Sequence, residues 1–475
     1  MGRHILGIDI GSSKICAVIA DVKEDNTPYI IGMGNQRSQG VRKGLIVNIE
    51  LASKAIKSAI DYAKSQAETD MLNKAIVSVS GAYTRSLQSS GVYNIEEGEI
   101  TIKEIGKAIA NAVYNTPHPG IPPDFEILHV LPYRFKLDGQ DYIQDPMGMT
   151  GSRLEVFVHI VIAQKSSLEN LKKTIHLAGV EIENLVLSSY AASISVLSDD
   201  EKELGVACID MGGNTCEIMV HEGNAMRFNS YLGVGSHNIT TDLAMGLNTK
   251  PAAAEEVKIT YGNLISNEED RRIEVPSVGA DEGVHFASLN KAQEVMRQRV
   301  VETFGILRQY IEKSGLRDSL GAGIVLTGGM IQLNGIKDIA SKLIFQKIPT
   351  RISKPIEMPG LFDELRNPAY AAVLGLIWYG AGKYTNYEKD SKGNICYKES
   401  RRLEEVNEIP SFHPQGGYGA YEGVSIRSTD LTDLKEDLLE DKERRTIQEQ
   451  YRMQKKGGFW EKTKSRITDF ADKLF

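Results

Sequence analysis

Two short stretches carry the residues whose types and spacing suit chemistry. Ile5 to Ile19 reads ILGIDIGSSKICAVI, and Gly205 to Val220 reads GVACIDMGGNTCEIMV. In each, an apolar β-type run ends in an aspartate, a glycine turn follows, and a second apolar run leaves. Ile8-Asp9-Ile10-Gly11 matches Ile209-Asp210-Met211-Gly212 in order and spacing. Bare backbone amides in such a turn can face phosphate oxygens, and the carboxylate at its base can face a hydrated Mg²⁺. One acid followed by glycine is also an ordinary hairpin turn. Its repetition points instead to a duplicated fold, with a nucleotide between two phosphate turns. Gly11, Ser12, Ser13 and Lys14 would then meet the terminal phosphates from one side, Lys14 adding positive charge. Gly212, Gly213, Asn214 and Thr215 would meet them from the other. Asp9 and Asp210 would converge on one Mg²⁺ through water, because this ion sheds its hydration shell reluctantly.

Two further elements fit the same ligand. At Thr327-Gly328-Gly329-Met330 a buried strand runs into paired glycines, which let a flat ring approach the backbone. In Ala254-Glu255-Glu256-Val257-Lys258, Glu255 and Lys258 lie one helical turn apart and suit a ribose and base. Taken alone, that pair is also an ordinary exposed ion pair.

The elements that must position these residues follow from periodicity. An extended opening leads to a helix over about 50–66, with Leu51, Ala55, Ile56, Ala59, Ile60 and Ala63 on one face, then a strand at Ala75 to Ser80. From about Tyr83 the character changes. Thr101 with Glu104 makes a capping box before an apolar-periodic helix, and strands are expected over 126–136 and 153–163. This predicts a small α+β insertion of about eighty residues. Helix 166–178 and strand 181–187 resume the first domain. Helices are expected over 242–261 and 291–314 around a polar stretch, Ser266 to Val284, followed by a strand at 323–329, a helix at 335–343 and an apolar closing helix at 369–379.

With 475 residues there is room for two or more domains, and 41% hydrophobic with 25% charged residues is ordinary for a globular chain. A net charge of -8 argues against a general nucleic-acid binder. No apolar run reaches membrane-spanning length, and the immediate strand-like start predicts no signal peptide. Cys16, Cys208, Cys216 and Cys396 show no metal or redox spacing, so they read as buried thiols in a reducing compartment, though Cys208 and Cys216 could also face each other across the hairpin.

After Gly382 the core signal stops, and 383–456 reads as a disordered linker. Apolar residues then return in FWEKTKSRITDFADKLF. Phe459, Trp460, Ile467, Phe470, Leu474 and Phe475 form or flank one helical face, and Lys462, Lys464 and Arg466 are basic. A helix lying in an anionic membrane surface is expected, with docking on the body or a partner protein as the alternative. One copy would bind reversibly and an array strongly.

Together and in this order, the four nucleotide elements resemble the actin-like ATPase superfamily. The segments KGLIVNIE, DPMGMTG, ELGVACIDMGGNT, AEEVK, EVPSVG and GIVLTGGMIQLNG are similar to the FtsA family of bacterial cell-division proteins. The resemblance implies an α/β chain: a duplicated actin-like ATPase fold with an inserted α+β (SHS2-like) subdomain and a C-terminal amphipathic helix. It implies a first subdomain of 1–82 with 165–200 and 355–382, an insertion of 83–164, a second subdomain of 201–235 with 315–354, a small subdomain of 236–314, a linker of 383–456 and a membrane helix of 457–475. It also implies ATP and Mg²⁺ as ligands, self-assembly into filaments, and attachment of FtsZ filaments, bound by the small subdomain, to the inner face of the cell membrane at the division site. Later division proteins would be recruited, with the insertion as their site. The alternatives are a PilM-like pilus-assembly relative and an ATP-hydrolysing chaperone or kinase. Two departures stand out. Asn214 replaces a third glycine and is expected to tolerate a left-handed backbone. Ser188 stands where fast-hydrolysing relatives carry a glutamate, which predicts slow hydrolysis at most.

Overall fold

The computed structural model describes residues 3–397 apart from 70–71, 97, 118–119, 266–269 and 279–282. The expected membrane helix and most of the expected linker lie outside the described residues.

The first half opens with β1 (Arg3–Ile10), β2 (Lys14–Val22) and β3 (Pro28–Arg37), antiparallel neighbours, then a short pair, β4 (Val41–Arg42) and β5 (Leu45–Ile46). α1 (Ile49–Ala67) starts at an Asn48 cap that accepts from the Leu51 amide, and it buries Ala52, Ala55, Ile56, Ala59, Ile60 and Ala63. Leu51, expected on that face, is 43% exposed, and Ala52 takes its place. β6 (Lys74–Val79) runs parallel to β1.

The chain then leaves for the insertion: β7 (Thr84–Asn94), α2 (Ile102–Tyr114), β8 (Phe125–Leu137), β9 (Gln140–Ile143) and β10 (Arg153–Gln164). α2 starts at the Thr101–Glu104 capping box read in the sequence. β7 has no strong alternation of apolar residues, and its strand form depends on pairing with β10 along its whole length. α3 (Lys165–Leu177), β11 (Glu181–Leu187) and α4 (Ser188–Val196) return to the first half, where β11 lies parallel to β6.

After α5 (Asp199–Leu204), the second half repeats the plan. β12 (Val206–Met211), β13 (Cys216–Glu222) and β14 (Ala225–Leu232) are antiparallel neighbours. α6 (Ser236–Gly246) and α7 (Pro251–Tyr261) replace the single helix expected over 242–261. Asn248 at φ 49 and Pro251 at the first helical turn break it there. The polar stretch expected at 266–284 carries part of a hairpin, β15 (Arg272–Pro276) with β16 (Val284–Ser288), before α8 (Leu289–Lys313). Next come β17 (Gly323–Thr327), parallel to β12, a short α9 (Ile336–Asp338) continued as a π turn to Ile344, and β18 (Thr350–Ile352).

The two halves therefore share one topology. The sheet orders β3-β2-β1-β6-β11 and β14-β13-β12-β17-β18 correspond strand for strand, including the change from antiparallel to parallel pairing. Each Asp-Gly turn joins the equivalent strand pair, so the duplication read from two tetrapeptides extends through both sheets. α10 (Ala371–Gly380) packs on α4, and Ala192, Val196, Val206, Val325, Ala371 and Ala372 form a small apolar cluster joining the halves.

The first residues of the expected linker, 383–397, carry structure. β19 (Glu388–Lys389) pairs with β8 and β20 (Ile395–Cys396) with β19, extending the sheet of the insertion. Tyr387 lies in the core of the insertion, and Glu388 accepts hydrogen bonds from the Tyr190 and Tyr379 hydroxyls, both at 2.6 Å. The strap is polar in composition because it buries a few side chains through hydrogen bonds. All four cysteines are free, and Cys208 and Cys216 do not face each other, since their cross-strand partners are Met219 and Met211.

Candidate nucleotide site

The carboxyl end of each central strand, β1 and β12, carries its aspartate toward the space between the halves. The structure brings every sequence-predicted residue of the site except Asn214 around one cavity of about 520 Å³. Gly11, Ser12, Ser13 and Lys14 line one wall with Asp9, while Gly212, Gly213 and Thr215 line another with Asp210. Glu255 and Lys258 come from α7, and Gly328, Gly329 and Met330 from the end of β17.

The turns are close. A Cβ on Gly213 would fall 1.8 Å from Ser13 Oγ, so the second turn presses directly on the first. Gly328 has φ +92, and a Cβ there would lie 2.3 Å from Asp210 Oδ1 and 2.6 Å from the Met211 amide nitrogen. Only glycine fits that position. Asn214, expected to hold a left-handed turn, is not among the residues with positive φ and does not line the cavity. The turn is instead closed by the Gly212 amide donating to the Thr215 carbonyl at 2.8 Å.

The electrostatics suit a polyanion with a cation. The Lys14 ammonium lies 2.8 Å from the centre of the Tyr370 ring and has no hydrogen-bond partner among the described residues, and burial pulls its pKa down to about 8. A buried, unpaired cation at the cavity wall is an anion site in waiting. Burial raises both Asp9 and Asp210, the latter to about 7, with Glu217 and Asp9 adding repulsion at Asp210. A divalent ion would relieve that repulsion. Among the described residues no group of three or more His, Cys, Asp or Glu could hold a metal by itself. Two carboxylates acting through water on a phosphate-bound Mg²⁺ fit this, since that ion takes few protein ligands.

Glu255 and Lys258 form a built network. Lys258 Nζ donates to Glu255 Oε2 at 2.8 Å, Thr240 Oγ1 at 2.9 Å and the Ser236 carbonyl at 3.3 Å. Its protons are thus committed to protein acceptors, and Glu255, which also accepts from Thr240, is the member of the pair with capacity toward a ligand.

Two family models match: one described as cell division protein FtsA over residues 207–375, the other as the SHS2 domain inserted in FtsA over residues 81–162. The cell division protein FtsA of Helicobacter pylori strain J99 is 45% identical over 444 residues, covering 86% of this chain and 89% of that protein. The chain belongs to the FtsA family of cell division proteins. FtsA of Pseudomonas aeruginosa is 35% identical over 88% of this chain and 99% of its own length, and FtsA of Escherichia coli K12 is 29% identical over 85% and 97%. Among solved structures, the PilM-PilN type IV pilus biogenesis complex aligns with a TM-score of 0.57 over 79% of this chain and 98% of that one, at 17% identity. That likeness is one of fold, and the PilM-like alternative gives way to the FtsA matches. The duplicated actin-like fold with its inserted SHS2 domain is the one the sequence implied.

Sequence reasoning missed one residue of consequence. Glu217 reaches the cavity from β13, with its Oε2 accepting from Ser188 Oγ at 2.8 Å. The position read as lacking an acid is a hydroxyl held by an acid from the other half. The signal was in the open, seven residues after Asp210, but alternation along β13 cannot distinguish a cleft-facing glutamate from an exposed one.

Proposed function

We propose that this FtsA-family chain binds ATP with Mg²⁺ between its halves and uses the bound nucleotide to assemble into filaments. The filaments tether FtsZ to the cytoplasmic face of the cell membrane and recruit later division proteins. Membership of the family supports the cell-division role, and the observation that carries the nucleotide reading is the buried Lys14 ammonium, without a hydrogen-bond partner among the described residues. Gly11, Ser12, Ser13 and Lys14 would hold the terminal phosphates against Gly212, Gly213 and Thr215. Asp9 and Asp210 would orient the water shell of the metal. Glu255 would take the ribose, and Gly328, Gly329 and Met330 the base. When bound, Mg²⁺ neutralises phosphate charge.

Among the described residues no helix is long and apolar enough to cross a membrane. The membrane contact is assigned to Phe459 to Phe475, where large apolar side chains gain about 1.5–3 kcal/mol each on burial and excess basic residues roughly 1 kcal/mol each near anionic lipid. Deleting that segment and fractionating cells tests the tether. The protein should move from the membrane fraction to the soluble one, and full retention at the membrane would refute it.

A further inference from the structure

We propose that Glu217 is a positioning residue that latches the two halves across the cleft and sets how long a nucleoside triphosphate stays bound; this rests on the nucleotide reading above. Glu217 is 5% exposed and sits on β13 opposite Asp210. Its Oε1 accepts from the Gly81 amide at 3.0 Å and Ser80 Oγ at 3.3 Å, and its Oε2 accepts from Ser188 Oγ at 2.8 Å. Ser80 and Gly81 follow β6, and Ser188 opens α4 directly after β11. All three donors therefore belong to the first half, at the carboxyl ends of adjacent parallel strands, while the acceptor belongs to the second. A Cβ on Gly81 would lie 3.3 Å from the Glu217 carboxyl carbon, so a glycine there lets the amide come close.

A buried carboxylate is tolerated only while its oxygens are filled by donors. Here those donors lie across the cavity, so the halves cannot part without stripping Glu217 of all three. The apolar cluster around Val196, Val206 and Ala372 also joins the halves, and there the Val196 carbonyl accepts from Arg351 Nη2 and Ser353 Oγ, both at 3.0 Å, so this end stays tied when the latch opens, which suits a pivot. On the cleft side, Tyr231 Oη donates to the Lys43 carbonyl at 3.1 Å and ties the β4–β5 hairpin to the second half.

Latch and plain charge predict opposite effects. As a negative charge near phosphates, Glu217 would weaken a nucleotide, and removing it would slow release. As a latch, it slows release, and removing it speeds the nucleotide out. The donors provide a test with the charge intact. Full-length protein, E217Q and the S80A/S188A double variant are loaded with N-methylanthraniloyl-ATP and Mg²⁺, then chased with excess ATP in a stopped-flow instrument. Hydrogen exchange at the Gly81 amide is followed in nucleotide-free protein. The latch predicts release about tenfold faster in both variants, equivalent to about 1.4 kcal/mol, with faster Gly81 exchange in each. Unchanged or slower release in either variant would overturn it. If the parent protein binds no nucleotide, the nucleotide reading falls. The Gly81 amide still judges the latch: acceleration in both variants upholds the contact between halves, and an unchanged rate refutes it.

Discussion

Replacing Lys14 by methionine should stabilise the empty protein and cripple the loaded one. The ammonium is held at a pKa of about 8, against an ordinary 10.5, chiefly by burial. Each pKa unit corresponds to about 1.4 kcal/mol, so a difference of some two and a half units sets an upper bound of about 3.5 kcal/mol on the cost of keeping the charge. Cavity water and the Tyr370 ring return part of this, the ring contact on the order of 1 kcal/mol. A gain of about 1–2 kcal/mol for Lys14→Met is therefore expected near pH 7. Since the folded pKa lies below the unfolded one, the cost is full below about pH 8 and disappears as the pH rises toward 10.5, so the gain should fade over that window. With ATP bound the sign reverses. A charge-assisted hydrogen bond to phosphate contributes about 1.5–3 kcal/mol, so affinity should fall roughly tenfold to a hundredfold. Urea unfolding with and without Mg·ATP, together with calorimetric titration, reads both effects. A variant that is less stable when empty, or binds ATP within about threefold of the parent, would refute the assignment of Lys14 as the unpaired phosphate cation.

Further outcomes follow from other buried groups. Gly328→Ala should lower stability by more than about 2 kcal/mol and abolish ATP binding, because the added methyl meets Asp210 and the Met211 backbone; equilibrium dialysis of the folded fraction reads the second effect. His159, held neutral by burial with its pKa near 4 and bonded to Asn229 at 2.8 Å, contributes stability above pH 6.5 that is lost as the pH falls toward 4. His159→Gln should flatten that part of the pH–stability curve by up to about 3 kcal/mol, and a curve of unchanged slope would count against it. Ending the chain after Gly382 should lower the melting temperature and loosen the insertion, because Tyr387 and Glu388 leave buried sites. Calorimetry showing no change would restore the reading of that segment as linker.

How much could be read in advance depended on how local the signal was. Both Asp-Gly turns, the Thr101 capping box and the periodic face of α1 are written in a few neighbouring residues, and they appear where expected apart from the Leu51 position. Elements stabilised by distant partners were hidden. β7 becomes a strand through β10, and β19 through β8, more than two hundred residues away in sequence. Glu388 looks like a solvated acid until Tyr190 and Tyr379 are placed around it. Glu217 and Ser188 show the same limit within the site. Neither residue signals the other, and only the meeting of the two halves turns an absent acid into a shared one. The Asn214 expectation failed because the turn needs close approach at Gly213 rather than a left-handed residue after it.

Co-sedimentation with anionic liposomes tests the central claim most directly. Full-length protein, FtsZ and vesicles are combined with and without Mg·ATP, beside a chain lacking Phe459 to Phe475. The account predicts that FtsZ pellets with vesicles only when the full-length protein is present, more with ATP than without, and not with the shortened chain. FtsZ remaining in the supernatant while the protein itself pellets, or pelleting equally well with the shortened chain, would contradict it.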